Sequence, residues 1–100
     1  MASVSSDIIA SYAADAAREV DGVVDLVESR LPWHKGVRVF EEGGLVQVEV
    51  HLAVAWGVSI PAVGGQVQDR VTEYLLRMAQ LEVGSVNVVI QEIGVSEESM

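Results

Sequence analysis

Apolar side chains return every three or four positions through Ile8, Ile9, Tyr12, Ala13, Ala16 and Val20, while Asp7, Ser11, Asp15, Arg18 and Glu19 fall between them. That spacing predicts an amphipathic helix over residues 7–20. Ser5-Ser6-Asp7 offers capping oxygens at its start, and Asp21-Gly22 supplies a stop at its end. The period then shortens. Val23-Val24-Asp25-Leu26-Val27-Glu28 is β-branched and reads as a short strand of imperfect alternation, and residues 29–36, with Pro32 and Gly36, read as a loop.

Two alternating segments, Val37 to Glu41 and Leu45 to Trp56, flank Glu42-Gly43-Gly44 and predict a hairpin. In the second arm Val46, Val48, Val50, Leu52, Val54 and Trp56 share one face, expected to meet the core. Gln47, Glu49, His51, Ala53 and Ala55 share the other. Gly57-Val58-Ser59-Ile60-Pro61 ends that strand and opens a second helix, with Ser59 as N-cap and Pro61 in the first turn, where its missing N–H costs little. Ile60, Val63, Val67, Val71, Tyr74, Leu75 and Met78 trace a buried stripe, and Gln66, Asp69, Arg70, Glu73, Arg77 and Gln80 a wet face. Gly64-Gly65 weakens this helix, and close packing against the sheet is the expected reason for the missing side chains. Leu81-Glu82-Val83-Gly84 closes the helix, and residues 85–93 form a last strand with Val86, Val88 and Ile90 inward.

The order α-β-β-β-α-β predicts an α+β fold, a two-layer sandwich in which two helices cover one face of a mixed sheet of about four strands. The connection through the second helix is long enough for a parallel crossover. One domain is expected over residues 1–95, with an acidic, disordered tail at 96–100.

Composition removes several functions. The chain has no cysteine, so thiolate catalysis, disulfides and cysteine metal sites are out. Six basic residues against fifteen acidic ones give a net charge of −9, which repels phosphate backbones and anionic lipid. No nucleic-acid partner is therefore expected. The N-terminal residues lack a basic and apolar leader pattern, and no apolar run reaches the roughly 20 residues of a spanning helix, so direct membrane insertion is not expected either.

Candidate chemistry is sparse. Glu49 and His51 share a strand face, but two ligands do not make a metal site, and a histidine on a polar sheet face is expected to be solvated. Ser59 has no histidine partner at a recognisable spacing, and the glycine pairs lack the context of a phosphate loop. No catalytic residue, cofactor or metal is assigned, and the chain is expected not to be an enzyme. Two surfaces stand out as candidate interaction sites. One is the loop around Trp33, leading to Arg38, where Arg30, Lys35 and Arg38 hold three of the six basic residues. The other is the helix-free sheet face with Phe40, Glu49 and His51, which Ala53, Ala55 and Val89 make less polar than a purely solvated face needs to be.

Several separated motifs occur in an order that resembles the alkaline shock protein family of envelope stress proteins, found mainly in Gram-positive bacteria. They are Ile9-Ala10 to Glu19-Val20 with Gly22-Val23, Gly36-Val37-Arg38-Val39, Val46 to Leu52, Trp56-Gly57-Val58-Ser59-Ile60-Pro61 followed by Val67-Gln68, then Met78 and Val86-Asn87-Val88. The match spans about residues 8–93. Departures are Trp56 in place of the usual tyrosine, Ala62 where glutamate is common, and the Gly64-Gly65 pair. The resemblance implies structural roles for Gly57, Ser59, Ile60, Pro61, Gln68 and Asn87. It further implies a cytoplasmic scaffold in envelope stress response and homeostasis, forming homo-oligomers and recruited to the inner face of the cell membrane by a membrane-anchored partner. The alternatives from the residues themselves are a small nucleic-acid-binding α/β module and a metal-binding protein using His51 and Glu49.

Overall fold

The computed structural model describes residues 6–27 and 36–94, with side chains as far as Ile90. The Trp33 loop, the capping Ser5 and the acidic tail at 96–100 lie outside the described residues. The elements run α1 (Ser6–Arg18), β1 (Val23–Leu26), β2 (Val37–Glu42), β3 (Leu45–Ala55), α2 (Ile60–Ala79) and β4 (Val83–Gly94), which is the order the pattern predicts.

β3 organises the sheet. Along one edge it pairs in parallel with β4 from Val46↔Val83 to Ala55↔Gly94, with register shifts at Val46/Gln47 and Leu52/Ala53. The other edge is shared by two antiparallel partners placed end to end. β2 pairs with its first half, from Glu42↔Leu45 to Val37↔Val50, and β1 with its second half, from Leu26↔Leu52 to Val23↔Val54. Gly43 and Gly44 both take positive φ, 63° and 81°, and so close the β2–β3 hairpin in a two-residue turn whose twist matches the strands. The sheet is thus mixed, as expected, but only three strands wide at any level.

Both helices contribute to one core with the sheet. Val48, Val50, Leu52 and Val54 of β3 are fully buried, and Val37 and Val86 close in beside them. On α1 the burial is wider than one stripe: Ile9, Ala10, Ala13, Ala14, Ala16 and Ala17 are all buried, because alanine on several faces lets the helix sit close to its neighbours. Ile8 is exposed, contrary to the expected stripe. Adjacent helical positions diverge by about 100°, and Ile9 takes the inward direction. Tyr12 meets Tyr74 of α2 edge to face, with ring centroids 5.9 Å apart.

On α2 the row Val63, Val67, Val71 and Leu75 is buried, whereas Ile60 and Met78, at the ends of the expected stripe, are exposed. The Gly64-Gly65 expectation fails as well. A Cβ at either position would meet nothing within 4 Å, so no close contact with the sheet demands these glycines. Nor does Gly84 close the helix. Gln80 takes the left-handed conformation at φ 53°, ψ 40°, and the Leu81 N–H reaches the Leu75 carbonyl at 3.2 Å, so Val83 and Gly84 already belong to β4.

Candidate interaction surface

The motif residues at the β3–α2 step are structural. Gly57 turns the chain at φ 89°, and Ser59 Oγ accepts from the Ala62 N–H at 3.3 Å, capping α2 with Ile60 and Pro61 as its first residues. Gln68 Nε2 donates to the Val86 carbonyl at 3.0 Å and so ties α2 to β4. Asn87 pairs with Glu49 across β3 and β4 and is exposed on the helix-free face.

Trp56 is the clearest departure from the sequence pattern. Alternation placed it with Val54 in the core, yet it is 77% exposed. β3 ends at Ala55, so Trp56 stands in the turn, where strand alternation no longer sets direction.

The helix-free face carries a connected row of side chains. Arg38 lies opposite Glu49, with Nη1 3.9 Å from Oε1, and its Cζ stands 4.6 Å from the centroid of the Phe40 ring. The second Glu49 oxygen, Oε2, accepts from His51 Nε2 at 2.7 Å. An ionised carboxylate only accepts, so this contact places a proton on Nε2. Ser85 Oγ donates to Gln47 Oε1 across the β3–β4 pair. Phe40, Glu49 and His51 therefore share one face as the sequence suggested, and Arg38, which the sequence placed with the Trp33 loop, joins them.

His51 is not solvated as expected; it is only 7% exposed. The cause lies partly in its place in the sheet. Its carbonyl accepts from the Val27 N–H at 2.9 Å and its N–H donates to the Gly36 carbonyl at 3.0 Å, so it bridges the end of β1 and the start of β2. Nothing in local sequence signals that β1 and β2 share one edge of β3, and so the burial was not legible there.

Among the described residues no three His, Cys, Asp or Glu side chains come together to hold a metal ion, and the Arg38 guanidinium beside Glu49 opposes a cation at that carboxylate. Two clefts lie elsewhere among the described residues. A polar one of about 370 Å³ is lined by Glu19, Arg70 and Arg77 between α1 and α2, and an apolar one of about 430 Å³ by Leu45, Leu76 and Leu81 at the start of β3. Also among the described residues, no helix is long and apolar enough to cross a membrane.

Comparison with known proteins agrees with the motif resemblance. Residues 2–95 match the model of the alkaline shock protein 23 family, described by a cell envelope-related function. YqhY of Bacillus subtilis (strain 168) is 31% identical over 95% of this chain and 84% of its own length. YloU of the same organism is 26% identical over 93% of this chain and 88% of its own. Among solved structures, two variants of MamM-CTD, one of them titled as a nickel form, superpose with TM-scores of 0.55 and 0.56. They cover 85% and 86% of this chain and 94% and 96% of theirs, at 13% identity, which bears on the fold alone.

Proposed function

The chain belongs to the alkaline shock protein 23 family, with its cell envelope-related function, and on that footing we propose that it acts without catalysis, as a self-associating scaffold that docks a membrane-anchored protein. In this reading it is a cytoplasmic protein held at the inner face of the membrane by that partner, and it serves envelope stress response and homeostasis.

The observation that carries the reading is the ordered helix-free face. Arg38, Glu49 and His51 already hold one another, Arg38 is stacked on Phe40, and Ala53, Ala55 and Val89 lie on the same face. Docking onto side chains that are already fixed avoids the ordering entropy that a flexible surface loses on binding. A half-exposed arginine over an aromatic ring is also the kind of group that anchors protein interfaces. The non-catalytic half of the reading is supported by the same geometry. The carboxylate and the imidazole that would serve as acid and base are occupied with each other and with Arg38.

Arg38→Glu tests the face without touching the core, since Arg38 is exposed. Immobilised wild-type chain is expected to retain a specific integral membrane protein from a detergent extract of native membranes, and the variant to retain at least tenfold less. Equal retention by both, or none by the wild type, would sink the docking half of the proposal.

A further inference from the structure

We propose that copies of this chain join head to tail, Trp56 of one copy seating in the apolar cleft formed by Leu45, Leu76, Leu81 and Val83 of the next. The inference rests on the self-association reading above and assigns it a surface.

Trp56 is 77% exposed, and its neighbours at that end of the molecule are apolar and exposed too. Val23 pairs with Val54, and the Gly22 carbonyl accepts from the Ala55 N–H at 2.8 Å, so the start of β1 lies beside the end of β3. Val24, the next residue of β1, and Ile60, which opens α2 four residues after Trp56, are both exposed. Single exposed apolar residues are ordinary, but an exposed tryptophan in the turn, with exposed Ile60 four residues on and Val24 at the same end of the sheet, makes a projecting apolar knob.

The hollow lies at the other end of the same strand. Leu45 is the first residue of β3 and Ala55 the last, which separates the two sites by about 33 Å at about 3.3 Å per strand residue. The cleft, about 430 Å³, has Leu76 at 53% exposure on its α2 wall and Leu45, also exposed, on its β3 wall. That volume lies at the lower end of the range that encloses organic ligands, and it takes a side chain of indole size. Burying one tryptophan in it removes roughly 150–250 Å² of surface from water.

Charge runs the same way. α2 has no acidic residue in its first turn, so no side chain of that turn offsets the partial positive charge at its N-terminus, near Trp56. Glu82 lines the cleft at the far end. Seating the knob in the hollow brings Glu82 of one copy to the α2 N-terminus of the next, and aligns their helix dipoles head to tail.

Knob and hollow are different surfaces at opposite ends, so the contact is heterologous, and its repeat forms a ring or an open filament according to the rotation between copies. β4 offers a competing isologous edge. Its sequence is not blunted by lysine or proline, but Gln68 of α2 already occupies the Val86 carbonyl of that strand.

Complementation separates the two geometries. Trp56→Ala removes the knob and keeps the hollow; Leu76→Glu spoils the hollow and keeps the knob, with Leu45→Glu as a second variant of the same wall. All three positions are exposed, and circular dichroism with a thermal melt verifies that each variant folds. By sedimentation velocity the wild type is expected to form species beyond a dimer as concentration rises. Each variant alone is expected to stay monomeric, and an equimolar mixture of Trp56→Ala with Leu76→Glu to form a dimer and nothing larger. A mixture that remains monomeric, or a Trp56→Ala chain that assembles as the wild type does, overturns the head-to-tail contact and leaves the scaffold reading standing. A wild-type chain that never associates overturns both.

Discussion

Ser59 is where an exposed turn becomes a twenty-residue helix, and its hydroxyl carries the start of α2 by accepting from the Ala62 N–H. Ser59→Ala is expected to lower stability by about 1 kcal/mol in urea titration. The family resemblance places glutamate at the position of Ala62, the third helical residue, where a carboxylate reaches back to the N-cap N–H and meets the positive end of the helix. Ala62→Glu is therefore expected to raise stability by about 0.5 kcal/mol in the same titration. Gly65 argues similarly. Since a Cβ there meets open space, Gly65→Ala is expected to stabilise by up to about 1 kcal/mol. At this scale the capping serine was readable because its partner lies three residues away. His51 was not, because the backbone groups of Val27 and Gly36 that flank it are distant in sequence.

Elements were legible wherever their own periodicity carried them. β3 and α2 each hold a run of inward positions that no neighbour needs to specify, and both fell where the alternation and the four-residue row put them. Their ends were less legible. The strand pattern ran one residue too far, onto Trp56, and the helix pattern counted Ile60 and Met78 as core, because periodicity does not reveal where cover by a neighbouring element stops. The start of β4 was misread for a different reason. Gly84 resembled a helix terminator, but its role is close approach: a Cβ there would lie 2.9 Å from Leu45 Cβ and 2.5 Å from Gln47 Nε2. Gly84→Ala is accordingly expected to destabilise the β3–β4 pair by about 1–3 kcal/mol, visible as a lower melting temperature. A melting temperature that does not fall would show that β4 begins later than Val83.

For the whole molecule, sequence pattern sufficed for the two-layer α+β fold, its hairpin and its mixed sheet, but not for the sharing of one edge of β3 by β1 and β2. That sharing sets the backbone groups of Val27 and Gly36 on either side of His51. Function follows from what the fold leaves uncovered. One sheet face has its helices; on the other an exposed Arg38 stands beside a half-buried Glu49 and a buried His51, and the two ends of β3 present a tryptophan and an apolar cleft. Sedimentation equilibrium of the wild-type chain over a hundredfold concentration range tests that account most directly. The weight-average mass is expected to climb well above the 10.7 kDa of a single chain as concentration increases. A mass fixed at 10.7 kDa throughout would contradict it.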